Sequence, residues 1–170
     1  MNAIPAERRP FAVELQRRNP QTGEITTTQG KLDPAKVGIV VPATNTIVEP
    51  ELAARAAERA TAEDIGILHR LITEMERKVT DVAAQTELDL AFHGEVLRAA
   101  GNRVCRQMFA VIHKGIAASA SQTFARAKVE DIVTEHRAIY DAISHHEAAE
   151  ARQMMTKHLL NAKKLFLNPA

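Results

Sequence analysis

The chain has 170 residues, enough for one domain with a buried core, and its 45% hydrophobic residues with only 4% aromatics favour aliphatic helix packing over a β-sandwich. A formal net charge of +1 gives no global electrostatic reason to expect nucleic-acid binding, and no apolar run approaches the length of a membrane span. The N-terminus lacks the apolar core of a secretion signal, and the single cysteine, Cys105, suits a reducing compartment. We therefore expect a cytoplasmic protein.

The first 45 residues differ in composition from the rest of the chain. Turn-forming residues interrupt each candidate helix there: Pro5, Pro10, Pro20, Gly23, Gly30 and Pro34. Between residues 37 and 41 a short apolar run is typical of a strand. The sequence predicts an irregular N-terminal extension over residues 1–45, without a winged helix-turn-helix, and a helical domain over residues 46–167.

The helical domain opens with two predicted helices. The first has an apolar row spaced four residues apart, formed by Val48, Leu52, Ala56 and Ala60. Thr61 and Asp64 form a capping box that begins the second helix. That helix has its own apolar row, which contains Ile65, Leu68, Ile72 and Met75. We expect both helices to be short and antiparallel.

Four further helices follow in the prediction. The third runs from about Thr80 to Ala100 and ends at Gly101 and Asn102, residue types that tolerate a left-handed backbone. The fourth extends towards Phe124 and includes Cys105 at a packing position. The apolar stripes of the last three helices contain Val104, Met108, Val111 and Ile112; Ile132, Val133, His136, Ile139 and Ile143; and Ala151, Met155, His158, Ala162 and Leu165. The predicted fold class is all-α, an antiparallel bundle of about six helices.

Four residues in these stripes carry potential metal-binding chemistry. Asp89 and His93 are four residues apart and therefore project from one helical face. His136 and His158 lie symmetrically about a predicted turn near residues 146–147, so a helical hairpin brings them to the same height. From the residues alone, a metal site and a cluster of hydrogen-bonded core histidines remain alternatives.

Several stretches resemble the FCD domain, the C-terminal effector-sensing domain of the FadR subfamily of GntR-type transcription regulators. These are ELDLAFHGEVLRAAGNRV, EHRAIYDAISHHEAAEAR and MMTKHL, together with the upstream stretch IVEPELAARAAERATAEDIGILHRLITEME. The resemblance implies a helical bundle with a central cavity. In metal-binding members of that family, residues matching Asp89, His93, His136 and His158 hold a divalent ion, usually zinc or nickel. Three neutral imidazoles and one carboxylate would leave coordination positions open to a small carboxylate effector.

The N-terminal end departs from this family. A winged helix normally precedes the FCD domain, and its absence from residues 1–45 leads us to expect no direct DNA binding by this chain alone. Asn45 and Thr46 occupy the region where the family usually has an arginine that faces the effector, and Asn45 is therefore one candidate effector contact. Tyr140, one turn beyond His136, and His113 are further candidate effector contacts. Core packing is the alternative for Tyr140, and a wall or surface position is the alternative for His113.

The predicted function is that of a metal-containing effector-sensing and dimerisation domain of a GntR/FadR-type regulator, not an enzyme. It would bind a small organic or sugar acid and form a homodimer. One alternative is an interaction module that forms mixed dimers with full-length regulators. Another is a small helical metal-dependent hydrolase, although no general base accompanies the four ligands. Three arginines cluster near a helix junction, where a solvated face is predicted and a basic patch for phosphate is the alternative: Arg98, Arg103 and Arg106.

Overall fold

The computed structural model describes residues 11–18, 25–32, 34–107, 109, 120, 123, 124 and 127–167, and side chains are described only between residues 46 and 165. Its N-terminal part contains two strands, β1 (Phe11–Arg18) and β2 (Ile25–Leu32). They pair antiparallel, with Phe11 opposite Leu32 and Arg18 opposite Ile25. The strands are followed by a helical bundle.

The N-terminal segment is therefore more regular than the sequence predicted. The two strand ranges contain no proline, whose missing backbone N–H would interrupt a ladder hydrogen bond. Strand β2 contains three consecutive threonines, Thr26 to Thr28, which are β-branched and favour extended backbone. Residues 11–18 and 25–32 thus form strands where the sequence predicted irregular structure.

Helix α1 (Pro34–Arg59) begins earlier than predicted and is the longest of the helices whose bounds the structure describes. Residues 37–41 lie within it, so the expectation of a strand there was wrong. A short apolar run does not distinguish a strand from a helical segment, and Pro34 at the first helical position loses no hydrogen bond. The predicted apolar row is displaced, because Val48 is exposed whereas Leu52, Ala53, Ala56 and Ala57 are buried.

Helices α2 (Ala62–Arg77) and α3 (Val82–Ala99) have the termini that the sequence indicated. The Thr61 side chain accepts from the backbone N–H of Asp64 at 3.2 Å, and the Thr61 backbone N–H donates to the Asp64 carboxylate at 2.8 Å. These two bonds form the predicted capping box. After α3, Gly101 adopts a φ of 70°, in the left-handed region predicted for the helix end.

Helices α4 (Val129–Ser144) and α5 (Ala148–Leu167) form an antiparallel hairpin. The turn between them places His146 at a φ of 61°, and its Nδ1–H donates to the carbonyl of Ala57 on α1 at 2.7 Å. Between α3 and α4, residues 103–107 are helical and Val104 is exposed, which contradicts its predicted core position. The predicted core positions Met108, Val111 and Ile112 lie outside the described residues.

The core lies between α1 and the faces of the four following helices. Helix α1 packs against α3, α4 and α5, and α2 packs against α3 and α4. The fully buried side chains include Leu68, Ile72, Met75, Phe92, Val96, Ile139, Ile143 and Met155. From Pro34 onward the described elements are helices joined by turns, which confirms the predicted all-α bundle. Among the described residues, no helix has the length and apolar character needed to cross a membrane.

Candidate metal centre

The four predicted ligands lie together in the bundle interior. Helix α3 supplies Asp89 and His93, α4 supplies His136 and α5 supplies His158. Each residue offers one ligand atom, and these atoms all lie within 4.8 Å of one another. All four side chains are buried, and His136 is fully excluded from solvent. Sequence-separated residues thus converge at one point in the core.

The helix geometry explains this convergence. Asp89 and His93 are one turn apart on the buried face of α3. The α4–α5 hairpin places the ring centroids of His136 and His158 4.4 Å apart, and the His93 ring is 5.5 Å from His136 and 5.4 Å from His158. Phe92 packs edge-on against His136 at 4.9 Å. The three imidazoles therefore form a compact triangle, and the Phe92 ring packs against one of them.

The Nδ1 atom of each imidazole also contacts an acceptor outside the group of four predicted ligands. The Nδ1 of His93 contacts the carboxylate of Glu49 on α1, and the Nδ1 of His158 lies 3.0 Å from the carboxylate of Glu135 on α4. The Nδ1 of His136 lies 2.9 Å from the backbone carbonyl of Ile132. Carboxylates and carbonyls accept hydrogen bonds, so each neutral imidazole carries its proton on Nδ1. The Nε2 atoms are left with lone pairs, which is the form that binds a metal.

The contacts of Nε2 fit a cation. The Nε2 of His136 lies 3.2 Å from the Asp89 carboxylate, and the Nε2 of His93 lies 3.8 Å from the same oxygen. The Nε2 of His136 is buried and has no hydrogen-bond partner among the described residues. A lone pair facing a carboxylate is repulsive unless a proton or metal ion lies between them. Metal–ligand bonds of about 2.1 Å put ligand atoms about 3–4 Å apart, so small side-chain adjustments would close this set on one ion.

The ionisation of the site reflects the same crowding. Burial opposes the charged form of Asp89, but the close contact with His136 and the charge of His93 outweigh it and lower the pKa of Asp89 to about 2. Burial also opposes protonation of His93, yet the charge and hydrogen bond of Glu49 raise its pKa to about 9. Burial and the neighbouring His136 lower the pKa of His158 to about 4. A carboxylate that stays ionised in the core calls for a compensating cation.

The three candidate effector contacts have different outcomes. Tyr140 is half-buried on α4, with its ring 5.7 Å from the ring of His69 and 5.4 Å from the Arg137 guanidinium carbon. These contacts match the packing alternative for Tyr140. His113 lies outside the described residues. Asn45 lies on α1, where side chains before residue 46 are not described.

Sequence reasoning missed the two carboxylates that hold the imidazoles. Glu135 immediately precedes His136 in the EHR motif, and its second oxygen accepts from the Asn161 side-chain amide at 2.6 Å. Glu49 lies on the buried face of α1, four residues before Ala53. An acidic residue on an otherwise apolar helical face was the available signal. The predicted apolar row of α1 began at Val48 instead, one position before Glu49.

The chain is similar to known proteins in sequence and in fold. A family model described as the FCD domain matches residues 44–161. The galactonate operon transcriptional repressor of Escherichia coli (strain K12) is 33% identical over 109 residues, which are 63% of this chain and 48% of the repressor. A solved GntR structure from Streptococcus agalactiae has a TM-score of 0.65 at 22% identity, covering 78% of this chain and 60% of that one. The chain thus spans about half the length of the curated relative, and the structural likeness concerns the fold.

Proposed function

Because the chain belongs to the FCD domain family, we propose that it is a metal-containing, effector-sensing and dimerisation domain of a GntR/FadR-type transcription regulator. FCD domains of such regulators are not enzymes, which agrees with the prediction made from the sequence. The proposal places the domain in the cytoplasm as a homodimer, with a divalent ion at its centre and a small organic or sugar acid as its effector.

One observation supports the metal above all others. The buried Nε2 of His136 faces the ionised Asp89 at 3.2 Å without a hydrogen bond, while its Nδ1 is already engaged by Ile132. A divalent ion between them would turn this repulsion into two bonds. Three imidazoles and one carboxylate suit zinc or nickel, since imidazole is a preferred donor for both. His93 and His158 would complete the set of ligands.

The proposed guest follows from the chemistry of the ion. A four-ligand site around zinc or nickel can expand its coordination to accept an oxygen donor such as a carboxylate. Tyr140, His113 and Asn45 are proposed to contribute to the walls around that guest. The relative named for repressing a galactonate operon makes sugar acids one candidate class. The ion supplies the positive charge, and the walls would select among acids.

Metal analysis of the purified protein tests the site assignment. We expect near-stoichiometric divalent metal in the parent and little in the double variant His136→Ala plus His158→Ala, because half of the ligands are removed. The matched control replaces two exposed histidines, His69 and His145, with alanine. It should retain parental metal content. Equal metal content in the parent and the His136/His158 variant would discard the assignment.

Thermal unfolding with small acids tests the guest separately. Galactonate and related acids should raise the unfolding temperature of the zinc-loaded protein and leave the chelator-treated protein unchanged, because a ligand stabilises only the state that binds it. The same increase without metal would contradict a guest bound to the ion. A screen of neutral sugars at equal concentration provides the control.

A further inference from the structure

We propose that Glu49 and Glu135 are positioning residues of the metal centre, and that Glu49 makes helix α1 part of the metal site. Each carboxylate would orient one imidazole ligand through its Nδ1–H and strengthen the opposite Nε2 as a donor. The inference rests on the proposed function, since it requires that His93 and His158 bind an ion. Neither carboxylate is itself proposed as a ligand.

Glu49 is buried deeply enough to need this partner. Its side chain is 3% exposed, and it reaches across from α1 to the Nδ1 of His93, 44 residues away in sequence. A buried carboxylate costs several kcal/mol unless it is paired and hydrogen-bonded. The imidazole N–H supplies that bond. Glu49 therefore lies where it both stabilises its own charge and fixes the ring of a ligand.

Glu135 makes a two-point contact with helix α5. One carboxylate oxygen lies 3.0 Å from His158 Nδ1, and the other accepts from the Asn161 amide at 2.6 Å. His158 and Asn161 are one turn apart on α5, so the contact fixes both the rotation and the height of that helix. Glu135 and His136 are consecutive on α4 and point in different directions, about 100° apart. One contacts α5 and the other faces the centre.

The chemistry of the acceptors predicts an effect on metal affinity. A carboxylate that accepts from Nδ1–H raises the basicity of Nε2 and restricts the ring to one orientation. His136 has only a neutral carbonyl behind it, whereas His93 and His158 have anions. Asp89, Glu49 and Glu135 together outweigh a divalent ion by one negative charge. The surroundings thus favour retention of the cation more strongly than the four ligands alone would.

Zinc titration of metal-depleted protein tests the proposal. The variants are Glu49→Gln and Glu135→Gln, which keep an acceptor oxygen and remove the charge. Exposed glutamates on the same two helices, Glu51→Gln on α1 and Glu130→Gln on α4, are the matched controls. Zinc dissociation constants would be measured by competition with a chromophoric chelator. We expect them to rise about 10–100-fold in Glu49→Gln and Glu135→Gln, and to stay at the parental value in both controls.

A second readout separates metal positioning from a purely structural role. Zinc-free unfolding temperatures and helical content of all variants would be recorded with the titration. A glutamate that only ties helices together would lower the zinc-free unfolding temperature and leave the zinc dissociation constant unchanged, and this result would overturn the inference. If Glu49→Gln fails to fold, the test rests on Glu135→Gln, because the Glu135 side chain is 20% exposed and its replacement disturbs the core less. Parent protein that takes up no zinc would overturn the proposed function instead.

Discussion

Helix α3 contributes to two polar clusters that compensate buried carboxylates in different ways. Near its C-terminus, the Arg98 guanidinium donates to both oxygens of Glu95, at 2.8 and 2.6 Å, and also pairs with Asp64 of α2. In its middle, Asp89 and His93 meet His136 and His158. The first cluster contains its own cation. The second brings one carboxylate and three imidazole rings to a single point.

This difference shows how a structural cluster can be told from a ligand site. Around Arg98, the guanidinium lies beside the carboxylates of Glu95 and Asp64, so the cluster supplies its own positive charge and joins α2 to α3 without any added component. Around Asp89, the Nδ1 atoms of all three imidazoles point outward to Glu49, Ile132 and Glu135, so in their neutral form the imidazoles leave acceptors on the inside. An interior set of acceptors is complete only when a cation occupies it. Three predictions test this contrast.

Metal removal should produce the largest effect. At free zinc about 1,000-fold above its dissociation constant, the ion should add about 4 kcal/mol to the free energy of unfolding, and excess chelator should remove that increment. Denaturant unfolding with and without zinc measures it. In the His136→Ala plus His158→Ala variant the two curves should coincide. Coincident curves in the parent would mean that the interior cluster is complete without an ion.

Arg98→Ala should be the next largest and should act on stability alone. It leaves the buried carboxylates of Asp64 and Glu95 without their cation, and we expect the free energy of unfolding to fall by about 1–2 kcal/mol. Arg98 is itself 38% exposed, so solvent screening keeps this value below that of a fully buried pair. Metal content should stay parental. The exposed Arg103→Ala is the control, and loss of metal in Arg98→Ala would show that the clusters are coupled.

Asp64→Asn should have the smallest effect, and one that depends on pH. Burial opposes ionisation of Asp64, but the hydrogen bonds from Thr61 and the charge of Arg98 outweigh it and lower its pKa below the ordinary value of 3.8. The charged form therefore contributes stability that is complete well above pH 3.8 and is lost as the pH falls through the lowered pKa. We expect a deficit of about 1 kcal/mol at pH 7 that shrinks below about pH 4. Denaturant unfolding of the parent, Asp64→Asn and the exposed control Glu63→Gln, at pH 7 and again below about pH 4, measures this deficit. A deficit that stays constant with pH would contradict the prediction.

The sequence predicted the helices and the convergence of four ligands because both depend on local spacing. Residues four apart share a helical face, and a hairpin returns His158 to the height of His136. The outer contacts could not be predicted in this way. The contact between Glu49 and His93 depends on how α1 packs against α3, and the pairing of Arg98 with Asp64 depends on where α2 begins beside the end of α3. Spacing within one helix carries no information about either distance.

Helix α1 is long enough that its first residue lies far from the contact at Glu49. The helix runs without interruption from Pro34 to Arg59, and its rise of 1.5 Å per residue puts its first residue about 22 Å from Glu49. At that distance, a tilt of α1 by about 5° about Glu49 displaces the first residue of the helix by about 2 Å. Strand β2 ends at Leu32, two residues before Pro34, so the pair of strands joins α1 at the end that lies about 22 Å from Glu49.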